Sequence, residues 1–221
     1  MERMRNKELW SGISSREVGT PRLTTHLLES GPEEGVPILF VHGNVASSRF
    51  FEETLAALPP HLRGLGPDLR GFGRSEPKPV DAARGMRDLS DDLRDLIKAL
   101  GYAEDRKIHM VGWSLGGRRA HAIRHRLSVG GRLAHLKLSY TTLRNGRNQR
   151  RHRNALLAGL RWIWRRTGQP GSRSLPQIRA VLDEYAVEGD SYREEIFANC
   201  GHSPHIERPD AFRRVLIEFL P

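Results

Sequence analysis

Ser114 lies in Gly112-Trp113-Ser114-Leu115-Gly116, a G-x-S-x-G pattern, and His202 lies far along the chain in Gly201-His202-Ser203. A serine hydroxyl becomes a nucleophile when a neighbouring base takes its proton, and an imidazole is the usual base near neutral pH. Chemistry of this type needs a third component, donors for the negative charge that develops on the attacked carbonyl oxygen. Backbone N–H groups at the start of a helix can supply it, because they are unpaired and sit at the positive end of the helix dipole. A lone G-x-S-x-G is a weak signal, so its surroundings decide.

Those surroundings fit. Ile108, Met110 and Val111 read as a short buried strand and a helical pattern follows the motif, which is the strand, sharp turn and helix order the motif requires. A serine at the tip of such a turn is strained, and a side chain two positions away on either side would strike backbone; Gly112 and Gly116 are the residues that fit. Val36 to Val41 is a continuous apolar run, as expected of a parallel strand covered on both faces, and it ends in His42-Gly43-Asn44. The loop at this carboxyl edge puts the N–H of Asn44 beside that of Leu115 as an oxyanion hole. Its blander reading is a turn stiffened by a buried imidazole.

The remaining elements must hold these groups. Arg16 to Val18 and Leu23 to Leu28 read as edge strands, after a loose leader from Met1 to Gly12. A helix is expected from Ser48 to Leu58, with Ser47 or Ser48 as its cap. Gly64 to Pro67 is a short strand, and Asp68 to Ser75 reads as a glycine-broken loop that can bring Asp68 and Arg70 near the sheet edge, or more plainly as a tight turn held by an Asp68–Arg70 pair. Asp88 to Leu100 is the clearest helix, with Leu89, Leu93, Leu96 and Ile97 on one stripe and Gly101 as its stop. Near the end, Gln177 to Ala186 has helical spacing, Tyr192 to Asn199 reads as a strand, and Cys200 to Pro209 as a loop carrying His202 and His205. A closing helix starts at Pro209 and turns Phe212, Val215, Leu216 and Phe219 inward.

Length and composition agree with one domain. A chain of 221 residues, 38% of them apolar, can bury a full α/β core. No stretch is apolar enough to span a membrane, and Met1 to Trp10 has no apolar signal core, so no membrane role is expected. The single cysteine, Cys200, permits no internal disulfide, which points to a reducing cytoplasm, and it reads as a small near-buried residue.

The net charge of +10 is a local feature. From Arg118 to Leu182 there are 16 Lys and Arg and no Asp or Glu, so the rest of the chain carries −6. Leu133 to Tyr140 passes as a strand and Ala155 to Trp164 as a helix, while the rest of Thr141 to Ser174 reads as irregular. Three explanations fit this segment: a basic lid over the site that accepts an acidic substrate, an Arg-rich nucleic-acid patch with Trp162 and Trp164 as stacking groups, or a reading frame lost near Arg118 and regained near Pro176.

Taken together, the strand ending in HGN, then DLRGFGRS, GWSLGG and finally GHSPHIERP before a last helix resembles the serine α/β-hydrolase superfamily. The resemblance covers roughly Leu23 to Gly117 and Gln177 to Leu220 and fails between them. It implies an α/β-hydrolase fold, a mostly parallel central sheet flanked by helices, as a single domain over 1–221. Over 118–175 an atypical basic segment replaces the lid and the acid-bearing strand, and the fold is expected to be incomplete or poorly ordered there. It further implies a hydrolase for an ester or similar small carbonyl compound, with Ser114 as nucleophile, His202 as base and acid, and Asn44 and Leu115 as backbone donors. No cofactor, metal, membrane or nucleic-acid partner is expected. Relatives with an aspartate nucleophile, the epoxide hydrolases and haloalkane dehalogenases, resemble the chain around Asp68 to Ser75, but position 114 is a serine. The orienting carboxylate is unassigned: Asp183, Glu184, Glu188, Asp190, Glu194 and Glu195 lie between Ser114 and His202, and none is well placed. The contrasting readings are a catalytically inactive hydrolase-fold protein and a basic nucleic-acid-binding variant.

Overall fold

The structure, a computed structural model, describes residues 8–102, 108–114, 116, 138–142, 152–155, 195–197, 200 and 203–220. Its centre is a five-stranded sheet. Strands β1 (Ser14–Gly19), β2 (Thr24–Ser30), β3 (Val36–Val41), β4 (Leu62–Pro67) and β5 (His109–Gly112) lie in the order β1-β2-β4-β3-β5. β1 pairs antiparallel with β2, and β2 antiparallel with β4, while β3 runs parallel to both β4 and β5. The sheet is therefore mixed: the parallel part is the three strands that lead to the expected site, and the β1–β2 hairpin is an antiparallel extension.

The apolar runs explain the placement. Ile38, Leu39, Phe40 and Val41 of β3 are all fully buried, because the strand lies in the interior of the sheet with side chains packed on both faces. On one face Phe40 and Ile38 join Phe51, Leu55, Trp113, Phe197, Phe212 and Leu216. On the other, Leu39 and Val41 meet Leu93, Leu96 and Ile97 from the helix α2 (Met86–Ala99). Each such side chain contributes about 1.5–3 kcal/mol of transfer free energy when fully buried. β5 closes the described sheet, and all four of its residues are buried.

Several expectations need correction. The Ser48 to Leu58 helix is a 3₁₀ turn (Ser48–Phe51) running into the short α1 (Glu52–Ala56), and Ser47 makes no side-chain capping bond. The leader is not loose from residue 8 onward: the N–H of Trp10 donates to Oε1 of the buried Glu52 at 2.8 Å, and Leu9 and Ile13 pack on the core. Within the expected Cys200 to Pro209 loop, Pro204–Glu207 forms a helical turn, α3, ahead of the closing helix α4 (Pro209–Phe219). Phe212, Val215 and Leu216 of α4 are buried as read, and Phe219 packs partly against the same cluster.

Three further strands form a second sheet, in which β6 (Leu138–Thr142) pairs antiparallel with β7 (His152–Ala155) and parallel with β8 (Glu195–Phe197). β7 falls in a stretch expected to be irregular, and it puts Ala155, the expected start of a helix, at the end of a strand. The remainder of the basic segment and the expected Gln177 to Ala186 helix lie outside the described residues. Among the described residues no helix is long and apolar enough to cross a membrane.

Candidate active site

Ser114 follows β5 at a backbone φ of +55°. That is the left-handed region, which a non-glycine residue occupies at a cost of about 1–3 kcal/mol and which tends to mark functional turns. The turn is built from both flanks. The N–H of Trp113 donates to the carbonyl of Val41 at 3.0 Å, extending the β3–β5 ladder past Gly112, and the N–H of Gly116 donates back to the Trp113 carbonyl at 2.9 Å. Gly116 is packed against the end of β3: a Cβ there would lie 2.0 Å from the Val41 oxygen and 2.6 Å from that of His42. The expectation that only glycine fits this position rests on this contact.

The His42-Gly43-Asn44 loop lies directly against the turn. A Cβ on Gly43 would sit 2.8 Å from the Ser114 Cβ and 2.9 Å from the Trp113 ring. Asn44 is exposed beside it and Ser114 is half-buried. His42 is fully buried, with Nδ1 2.8 Å from the Gly43 carbonyl and Nε2 accepting the N–H of Leu69 at 2.9 Å. Because an amide N–H only donates, Nε2 carries no proton, so His42 is a neutral, structural imidazole.

Leu115 and His202 lie outside the described residues, and the expected approach of His202 to Ser114 lies there with them. Their sequence neighbours are described. Cys200, Phe197 and Trp113 share one core cluster, and the His205 ring stands edge-on to Trp113 with centroids 5.2 Å apart. His205 is buried, stacks on Phe51 at 4.6 Å and meets Phe212 at 5.9 Å. These aromatic contacts make it a packing residue.

The Asp68–Arg70 pair expected in the turn after β4 does not form. Arg70 reaches instead to Asp92 on α2, with Nε and Nη2 at 2.7 and 2.6 Å from its two oxygens. Arg22 joins the same helix through Asp92 and Asp88, and Arg84 and Arg94 both pair with Asp91. Asp68, 2% exposed, accepts instead from the Ser48 N–H at 2.7 Å and the Arg74 N–H at 2.9 Å, and its Oδ2 is 2.9 Å from Nδ1 of His26. Burial pushes the Asp68 carboxyl up, but the hydrogen bonds from His26, Ser48 and Arg74 outweigh it and hold the group below the ordinary carboxylate range. His26 carried no signal in the sequence: it is 42 residues from its partner.

The family model for the alpha/beta hydrolase fold matches residues 36–126, from the first residue of β3 to beyond the serine turn. Over that segment the chain is similar to the alpha/beta hydrolase superfamily. It is similar to the uncharacterized carboxylesterase nap of Bacillus subtilis (34% identical over 94 residues) and to carboxylesterase YbfK of the same organism (28% over 93). It is also similar to the soluble epoxide hydrolase of Corynebacterium sp. (33% over 92). Each match takes in 42% of this chain and 30% of the relative, so the chain matches less than a third of these proteins. Among solved structures, a haloalkane dehalogenase loop variant from Bradyrhizobium elkanii aligns with a TM-score of 0.49 and 26% identity, covering 54% of this chain and 38% of that one.

Proposed function

We propose that the chain acts as a serine hydrolase on an ester or related small carbonyl compound. The observation that carries this reading is Ser114 at φ +55°, packed against Gly43 in a turn whose Gly116 abuts the end of β3. In this reading His202 takes the Ser114 proton while Oγ attacks the carbonyl carbon. The N–H groups of Asn44 and Leu115 hold the oxyanion, and the protonated imidazole then gives its proton to the leaving alkoxide. Water, activated by the same imidazole, releases the acid and restores Ser114. The relatives include both carboxylesterases and an epoxide hydrolase. The serine at 114 favours the esterase reading, because opening an epoxide through an aspartyl ester needs a carboxylate at that position.

The absence of any Asp or Glu from Arg118 to Leu182 bears on rate. A site whose imidazole lacks an orienting carboxylate loses about 10⁴ in rate, while oxyanion stabilisation and binding alone retain about 10³ over water. We therefore assign a slow hydrolase in a single domain, with 118–175 standing in place of a lid and acid-bearing strand. A cytoplasmic site of action is supported by its one buried, unpaired cysteine. A fluorophosphonate probe should label the full chain, and Ser114→Ala should abolish the labelling. Folded protein that takes up no label overturns the assignment in favour of an inactive hydrolase-fold protein.

A further inference from the structure

The loop from His42 to Ser48 is anchored at both ends by two consecutive residues at the exit of β4. Leu69 donates its N–H to His42 Nε2 at 2.9 Å, and Asp68 accepts the N–H of Ser48 on Oδ1 at 2.7 Å. Asp68 is in turn fixed by the Arg74 N–H and by His26 on the neighbouring strand β2. Between the anchors stand Asn44 and Val45, and Val45 is held at φ +53°. A β-branched residue in the left-handed region is strained. The side chain of Val45 is 83% exposed, so packing around it does not impose the conformation. The constraint must come through the backbone, from the anchored ends.

We propose that Asp68 is a positioning residue: through the Ser48 N–H its carboxylate holds the 42–48 loop in the strained form that presents the Asn44 N–H to the oxyanion. The inference rests on the serine-hydrolase reading, in which Asn44 is a donor. Asp68 itself touches no reacting atom. Its effect is confined to how well a preformed donor is aimed, which acts on the transition state more than on ground-state binding.

The test uses the full chain, with active-site concentration set by fluorophosphonate titration and turnover followed on a nitrophenyl ester. Asp68→Ala, which removes both accepting oxygens, should lower kcat by about tenfold or more with KM changed by less than about twofold. Val45→Gly, which removes the strain, should recover at least about threefold of that loss in the Asp68→Ala background. Should Asp68→Ala fail to fold, Ser48→Pro removes the donated N–H together with the buried Ser48 hydroxyl, and Ser48→Ala, which loses the hydroxyl alone, is its control. Proline suits the first residue of a helical turn, and Ser47 is already extended at φ −144°, ψ 176°, as the residue before a proline must be. The same fall in kcat is expected. An unchanged kcat, or a loss that Val45→Gly does not relieve, overturns the proposal. If the wild-type chain takes no label, the serine reading has failed, and amide hydrogen exchange over 43–47 decides the clamp alone. Asp68→Ala should speed exchange there about tenfold with core protection unchanged, and unchanged exchange rejects it.

Discussion

Gly43 and Ser114 touch across the gap between two loops, so closely that one added methyl on Gly43 would stand 2.8 Å from the Ser114 Cβ. The neighbouring atoms there belong to a strained backbone turn and a buried indole, neither of which can swing aside. Position 43 therefore controls where the hydroxyl of 114 sits.

Gly43→Ala should displace that hydroxyl by a fraction of an ångström to about 1 Å. A misplacement of that size costs up to about 10² in rate, whereas overpacking costs about 1–3 kcal/mol of stability. The fluorophosphonate labelling rate should fall by about tenfold or more while the protein remains folded by circular dichroism. A variant that labels at the wild-type rate would show that the contact does not set the serine.

Gly116→Ala should behave differently. Its Cβ would meet the Val41 carbonyl at 2.0 Å, a backbone atom of a fully buried residue. The strand must move, so a destabilisation of about 3 kcal/mol or more is expected in urea unfolding. A loss below about 1 kcal/mol would mean that the turn yields more readily than this packing implies.

Asp68 makes stability depend on acid. Its folded carboxyl is held below the ordinary range, so the native state favours the ionised form. The contribution is present in full above the unfolded value of about 4 and is lost as pH falls through the folded value. Asp68→Asn should flatten the acid limb of a stability–pH curve measured between about pH 5 and pH 2. A limb of unchanged slope would assign the acid sensitivity to other carboxylates, such as Asp88, which is also lowered, first by the Asp81 N–H.

Cys200 supplies the opposite limb. Burial, then the charge of Glu207, raise its thiol to about 11 against the opposing effect of Arg208. Folded protein should therefore resist iodoacetamide at pH 8, reacting at well under a tenth of the rate of the unfolded chain. The stability linked to the protonated thiol is complete below about 8.5, the free thiol value, and fades as pH rises toward 11. Rapid alkylation of folded protein at pH 8 would contradict the burial.

The basic segment is testable in the coding DNA. If a frame was lost near Arg118 and regained near Pro176, one of the other two frames should read as apolar helix text with a G-x-D turn. If both read as nonsense, the basic segment is genuine. A nucleic-acid affinity falling steeply with salt would then support the binding variant.

What the sequence revealed follows from the range of each interaction. The runs at Val36 to Val41 and Ile108 to Val111 announced strands because both faces of those strands are covered, and the two glycines of the G-x-S-x-G motif announced a sharp turn. Polar contacts between distant residues left no trace. Asp68 was assigned to its neighbour Arg70, yet it bonds to His26 and Ser48, while Arg70 reaches across to Asp92. Residue type marks Ser47 or Ser48 as a cap, but Ser47 makes no capping bond and it is the backbone N–H of Ser48 that bonds, to Asp68. Likewise, only the fold shows that Glu52 catches the N–H of Trp10.

β5 stands at the flank of the five-stranded sheet among the described residues, yet all four of its residues are buried. A strand in that position pairs with β3 on one side and presents a second row of N–H and C=O groups on the other. Shortening the chain to its family-matched portion, residues 36–126, would strip β2 from β4 and bare a further such row. Such a fragment should stack edge to edge with copies of itself, so the strand left unpaired would become the seed of aggregation.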